Sequence, residues 1–184
     1  MRCQNRGMQS DVDSVTIRGA DLEGDDARAV SRLVEAYLVQ TEAEKAEHLG
    51  ASASVSASVD GRGLPERYRS EVDDPRSAYA GAIVLLAELA DEPVGVAVVQ
   101  PSPDAREIKR VWVDPAARGR RVGSALLDAA LDGHALPTRL TVWDWREAAV
   151  QLYRSRGFVE VPSWDDRPRL LCLERRPASA SGPW

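Results

Sequence analysis

The most informative stretch of this sequence is Glu107-Ile-Lys-Arg-Val-Trp-Val-Asp-Pro-Ala-Ala-Arg-Gly-Arg-Arg-Val-Gly-Ser-Ala-Leu-Leu127. It begins with an apolar segment of strand-like composition, from 108 to 113. A turn rich in arginine and glycine follows, and then a segment whose apolar residues recur with the helical period. The stretch therefore predicts a strand, a basic turn and a helix in direct succession.

The turn of this unit has the properties of a phosphate-binding site. The first N–H groups of a helix have no partner within the helix, and the positive end of the helix dipole lies behind them. Gly119 and Gly123 leave room for a ligand to approach the backbone closely, while Arg118, Arg120 and Arg121 can add charged contacts. These features favour a bound pyrophosphate.

Three other interpretations of the same turn have less or equal support in its residues. A dinucleotide-binding fingerprint needs three spaced glycines early in a βαβ unit, and this turn has two, late in the chain. A nucleotide P-loop needs Gly-Lys-Ser or Gly-Lys-Thr, which the sequence lacks. A solvated basic turn before an ordinary helix stays open at this point.

Composition narrows the class of protein. The chain has 184 residues and a formal net charge of -5, which argues against a nucleic-acid partner because such binding depends on a broad basic surface. Two cysteines do not suggest a disulfide framework, and no apolar run is long enough for a membrane span. We expect one cytoplasmic domain over residues 14–176, with a disordered tail at 1–13 and a second tail at 177–184.

The remaining segments alternate between strand and helix patterns. Their predicted order is β-α-α-β-β-β-α-β-α-β-β, with a hairpin formed by the apolar runs 82–89 and 94–99. Such an order implies the α/β (α+β) class, with a mixed central β-sheet flanked by helices on both faces.

Two motifs together resemble a known family. The first is the stretch from Glu107 to Leu127, and the second is Ala148-Ala-Val-Gln-Leu-Tyr-Arg-Ser-Arg-Gly-Phe158. In this order and spacing they resemble the GCN5-related N-acetyltransferase (GNAT) superfamily. There are two departures: Arg121 replaces the first motif glycine, and Arg146 stands where many members carry asparagine.

The resemblance implies a GNAT fold and a function. It implies an N-acetyltransferase that uses acetyl-CoA as acyl donor without a metal, and whose acceptor is a primary amine of a small molecule or protein. A homodimer is also possible, since dimers occur in the family. The implied coenzyme-binding residues are Val111, Trp112 and Val113 for the acyl-pantetheine arm, and Arg118, Gly119, Arg120, Arg121, Val122, Gly123 and Ser124 for the pyrophosphate.

Two catalytic residues are implied in the same way. Tyr153 resembles the tyrosine that protonates the departing sulfur, although helical spacing alone equally fits a core aromatic residue. Glu107 matches the position of a general base in some members, but a solvated carboxylate or deprotonation through ordered water is as compatible with the sequence.

Two questions about function stay open at this stage. The chain could be an enzyme or a catalytically inactive GNAT-fold module that senses acyl-CoA. An acidic, aromatic pocket for an ammonium group could be formed by the segment 163–167, Trp143, Asp144, Trp145 and the region 37–44. Ordinary packing tryptophans with surface carboxylates are the alternative.

Overall fold

The computed structural model describes residues 14–50, 61, 63–133 and 135–177. The tail predicted at 1–13 lies outside the described residues, and so does the tail predicted at 177–184 apart from its first residue. Within the described ranges, no helix is long and apolar enough to cross a membrane.

A single mixed sheet organises the chain, which confirms the predicted class. Its strands lie in the order β1-β2-β3-β4-β5-β7-β6. All neighbouring strands are antiparallel except β4 and β5, which are parallel. The strands are β1 (Val15–Gly19), β2 (Ile83–Leu89), β3 (Glu92–Pro101), β4 (Arg106–Val113), β5 (Thr138–Trp143), β6 (Val159–Glu160) and β7 (Leu170–Arg175).

In the part of the chain that the structure describes, five α-helices connect and cover the strands. They are α1 (Asp26–Leu49), α2 (Arg69–Asp73), α3 (Pro75–Ala78), α4 (Val122–Leu131) and α5 (Glu147–Ser155), with 3-10 turns at Glu66–Tyr68 and Pro115–Ala117. The polar second half of α1 remains helical because it continues the buried face of the first half, so Thr41 and Lys45 are buried like Val34 and Leu38.

The alternation of side chains along the sheet separates two cores. Val84 and Leu86 of β2 pack with α1 on one face, whereas Ala87 and Leu89 pack with α4 on the other. A further cluster joins α4 and α5 to the sheet through Leu127, Val150 and Phe158, among others. Helices therefore cover both faces, as the element order predicts.

Strands β4 and β5 pair with each other only at their first residues. Their pairing consists of Arg106 with Thr138 and Glu107 with Arg139. Beyond these pairs β4 continues to Val113 and β5 to Trp143 without pairing to each other. The sheet therefore opens into a cleft between the two strands.

Candidate active site

A cavity of about 1150 Å³ occupies the cleft between β4 and β5. Its walls are β4, the second half of α1, the start of α4 and the segment from β5 into α5. Nine of the ten residues assigned to coenzyme binding from the sequence line it: Val111, Trp112, Val113, Arg118, Gly119, Arg121, Val122, Gly123 and Ser124. The remaining one, Arg120, does not line it.

The β4 wall presents backbone as well as side chains. No described strand pairs with the β5-facing edge of β4 beyond Glu107. A β-bulge occurs at Arg110, which has a φ of 55°, and the register against β3 shifts between Val96 and Val98. An extended ligand can therefore add to this edge as a further strand would.

The start of α4 forms the opposite end of this wall. Arg121 is the residue that precedes the helix, and its φ of 63° and ψ of 11° place it in the left-handed region. The motif departure thus keeps the conformation that glycine favours while adding a guanidinium, at a cost of about 1–2 kcal/mol. A Cβ on Gly119 would meet no atom within 4 Å, so the approach to this turn is open.

Arg118 links the turn to the rest of the site. Its guanidinium carbon lies 4.8 Å from the centre of the Trp112 ring. Its Nε donates to the Val113 carbonyl oxygen at 3.2 Å, and an Nη donates to the Gln40 side-chain oxygen at 3.1 Å. Arg118 therefore ties the end of β4 to α1 beside the proposed coenzyme site.

Tyr153 belongs to both the core and the cavity. Its ring packs against Phe158 with 5.9 Å between ring centres, and the side chain also lines the cavity. Within the described part of the chain, its hydroxyl makes no hydrogen bond. Burial raises the pKa of this phenol, so the hydroxyl keeps its proton through neutral and mildly alkaline pH.

Glu107 lies at the closed end of the cleft, where β4 and β5 still pair. Its carboxylate lines the cavity and forms an ion pair with Lys109 at 3.1 Å. The side chain is 37% exposed. This position gives a carboxylate that water can reach, in contrast to the buried Tyr153.

The family assignment rests on comparison with known proteins. A family model described as the acetyltransferase (GNAT) domain matches residues 80–160, which include β4, the basic turn, α4 and α5. Many solved GNAT structures match the fold as well. Residues 80–160 therefore match a GNAT domain, and the chain has the GNAT fold.

Three solved structures illustrate the similarity. The histone acetyltransferase HPA2 and related acetyltransferase from Corynebacterium glutamicum ATCC 13032 is 23% identical, with a TM-score of 0.60 over 92% of this chain and 99% of that one. The GNAT-family acetyltransferase of Staphylococcus aureus Mu50 is 15% identical, with a TM-score of 0.60 over 88% and 98%. The PaiA N-acetyltransferase of Thermoplasma acidophilum, in complex with coenzyme A, is 17% identical, with a TM-score of 0.57 over 89% and 99%. No curated protein matches the chain.

The GNAT site contains a polar network around Glu44, a residue of the region 37–44 assigned to the acceptor pocket, and its hydrogen bond with Arg146 was not predicted from the sequence. Glu44 of α1 accepts hydrogen bonds from Arg146 Nε at 2.7 Å and from Trp145 Nε1 at 3.1 Å, and also from Gln40. Arg146 in turn donates through an Nη to the Thr41 hydroxyl at 2.8 Å. Burial alone raises the pKa of Glu44, but these hydrogen bonds outweigh burial and hold its pKa below the ordinary value.

A signal for this network was present in the sequence. The polar residues Tyr37, Thr41, Glu44 and His48 recur at helical spacing, so they share one side of α1. Such a polar stripe continuing a buried face indicates that the helix lines a site. Arg146 stands where many family members carry asparagine. Its hydrogen bonds join the β5–α5 connection to that stripe, which gives the arginine a structural role.

Aromatic residues of the predicted acceptor pocket line the cavity, but of its described carboxylates Glu44 alone does. Trp143, Trp145 and Tyr37 line the GNAT cavity, and Trp145 stacks between Trp143 at 4.7 Å and His48 at 4.6 Å. Asp144 and Asp165 do not line it. Asp144 forms an ion pair with Arg169, and Asp165 forms one with Arg167. Of the carboxylates predicted for an acidic pocket, Asp144 and Asp165 therefore lie outside the lining, whereas Glu44 is part of it.

Proposed function

We propose that this GNAT-fold protein is an N-acetyltransferase that transfers the acetyl group of acetyl-CoA to a primary amine of a small molecule or protein by direct attack. The observation that carries the proposal is the convergence of three features on one cavity. These are the uncovered edge of β4, the start of α4, and the buried Tyr153 hydroxyl, for which the described residues provide no hydrogen-bond partner.

The residues present fit coenzyme A. The diphosphate would bind the first N–H groups of α4, from Val122 to Ser124, with Arg121 adding positive charge. The pantetheine arm would lie along Val111–Val113, where the strand edge offers hydrogen bonds. Most of these contacts use main chain, which explains why a glycine-to-arginine change at Arg121 is compatible with the site.

The bound thioester supplies an activated acyl group, and the protein then has three tasks. The amine nitrogen forms a bond to the carbonyl carbon as the carbon–sulfur bond breaks. The departing sulfur takes a proton, for which the buried Tyr153 hydroxyl is the donor we propose. The amine loses a proton to Glu107 or to water. Backbone N–H groups at the β4 bulge stabilise the negative charge on the carbonyl oxygen.

The binding step is tested by calorimetry with acetyl-CoA. We expect Arg121→Gln to weaken binding by about tenfold, because it removes one charge-assisted contact to phosphate while keeping a non-glycine residue at the left-handed position. The matched control is Arg154→Gln, since Arg154 is 57% exposed, lies on α5 and does not line the cavity. Equal affinities for the two variants would contradict the assigned phosphate site.

The transfer step is tested by following release of free thiol with a panel of primary amines. Binding together with thiol release for at least one amine supports the enzyme. Binding without release from any amine would overturn the enzyme and favour a GNAT-fold module that senses acyl-CoA. Absence of acetyl-CoA binding would overturn the proposal as a whole.

A further inference from the structure

A second cavity adjoins the first, and no residue of the coenzyme-binding turn lines it. Its volume is about 470 Å³, and Lys45, Leu49, Arg67, Trp143, Arg167 and Pro168 line it. Lys45, Arg67, Trp143 and Arg167 line the larger cavity as well. The passage between the two cavities is thus formed by three cationic side chains and one indole ring.

Cations also dominate the adjoining part of the larger cavity, here called the acceptor side. We define the acceptor side as the wall formed by α1, the 3-10 turn Glu66–Tyr68, Arg110, residues 143–146 and Arg167. Among the described residues that line it, Glu44 is the sole carboxylate. The cations are Lys45, Arg67, Arg110, Arg146 and Arg167.

The carboxylates that hold these cations lie behind the lining. Glu71 binds Arg110, Asp165 binds Arg167, and neither carboxylate lines a cavity. In each pair the carboxylate contacts Nε and Nη2, so that within the described chain Nη1 has no hydrogen-bond partner. This arrangement fixes each guanidinium and leaves donors for a ligand.

Among the three cations in the passage, Arg67 has the longest ion-pair distance. Its guanidinium stacks on Tyr68 at 4.5 Å, and its Nη2 makes two long contacts, at 3.4 Å to Glu42 and 3.3 Å to the Tyr68 hydroxyl. Glu42 is itself occupied by Lys45 Nζ, at 2.8 and 2.9 Å from its two oxygens. Arg67 is therefore held by an aromatic ring and shares the Glu42 carboxylate with Lys45, which makes the shorter contacts.

We infer that the acceptor amine also carries an anionic group, a carboxylate or a phosphate, and that Lys45, Arg67 and Arg167 bind this group in the passage between the cavities. The inference rests on the proposed acetyltransferase function and narrows its substrate class. Fixed cations in a cleft attract anions and repel a polyamine. In a chain with a net charge of -5, this concentration of cations on one lining is a local property of the site.

The test uses two pairs of amines that differ in the anionic group: phenylalanine with phenylalanine amide, and aminoethyl phosphate with ethanolamine. Thiol release gives kcat/KM for each at saturating acetyl-CoA. The variants are Arg67→Gln and the control Arg69→Gln. Arg69 is close in sequence, 49% exposed, paired with Glu66 at 3.2 Å, and lines neither cavity.

We expect Arg67→Gln to lower kcat/KM for the preferred anionic amine by about tenfold, mainly through KM, because one charge-assisted contact is lost. The neutral member of the same pair should change little, and Arg69→Gln should change neither. Comparing variants within a pair cancels differences in amine basicity. The pair that shows the effect distinguishes carboxylate from phosphate.

Two outcomes would overturn the inference while the proposed function stands. One is a better rate with neutral or dicationic amines than with any anionic one. The other is an equal effect of Arg67→Gln on both members of each pair, which would indicate a structural role. Failure of every amine to release thiol would overturn the acetyltransferase itself, and the inference with it.

Discussion

Replacement of Glu71 by glutamine tests how the β4 bulge is held. Arg110 occupies that bulge, and its Nε and Nη2 each donate to a different oxygen of the Glu71 carboxylate at 2.6 Å. The Tyr79 hydroxyl donates to the same carboxylate at 2.8 Å. The side chains of Arg110 and Glu71 are only 20% and 17% exposed. Loss of the negative charge leaves Arg110 largely shielded from water without a counterion.

The expected magnitude follows from this burial. Removing one partner of a buried ion pair costs about 3–5 kcal/mol. Glutamine retains the shape and one accepting oxygen, and the pair keeps some access to solvent, so we expect a loss of about 2 kcal/mol in the free energy of unfolding. For a domain of this size, that loss lowers Tm by about 4–8 °C.

Thermal unfolding of Glu71→Gln is compared with that of Glu66→Gln. Glu66 forms an ion pair with Arg69 at 3.2 Å, but the two side chains are 61% and 49% exposed, respectively. An exposed pair contributes about 0–1 kcal/mol, so Glu66→Gln should shift Tm by little. The comparison isolates burial, because both substitutions remove the same charge.

The pH dependence of the same variants gives an independent check. Burial raises the pKa of Glu71, but hydrogen bonds and charge from Arg110 outweigh burial and lower it below the ordinary 4.5. The carboxylate therefore contributes stability above pH 4.5 and loses it as pH falls through the lower folded-state pKa. The Tm difference between the unsubstituted protein and Glu71→Gln should shrink in that range. Equal Tm values for Glu71→Gln and Glu66→Gln at pH 7, or a difference unchanged at pH 3, would refute the reasoning.

Two further substitutions address the chemistry and the packing of the site. Tyr153→Phe should lower kcat by about 100-fold or more, because a positioned acid is removed. The substitution should leave Tm and acetyl-CoA affinity nearly unchanged, because the hydroxyl has no described hydrogen-bond partner. A kcat equal to that of the unsubstituted protein would exclude Tyr153 as the acid. Gly95→Ala should reduce the free energy of unfolding in urea by about 1–3 kcal/mol, because a Cβ there would lie 3.0 Å from Leu126 and 3.1 Å from the Trp112 carbonyl oxygen. Gly19→Ala is its control, since no atom lies within 4 Å, and equal losses would contradict close packing at Gly95.

Much of the fold was predictable because its elements carry local signals. The hairpin of β2 and β3 follows from two apolar runs around a polar turn, and α4 follows from helical periodicity after the basic turn. The separation of β4 from β5 was not predictable, since strand pairing depends on contacts between distant segments. The left-handed conformations of Arg110 and Arg121 were not predictable either, because arginine has no local preference for that region.

The charge of the acceptor side could not be predicted from the sequence around its residues. The sequence places Asp144 between Trp143 and Trp145, and Asp165 beside Trp164, a pattern that favours an acidic aromatic pocket. In the fold these carboxylates pair with arginines instead of lining the cavity. Neighbours in sequence thus face different surroundings, because only some side chains of a connection reach the cleft. The charge that a ligand meets is set by which member of each ion pair lines the cavity, and here that member is the guanidinium of Arg110 and of Arg167.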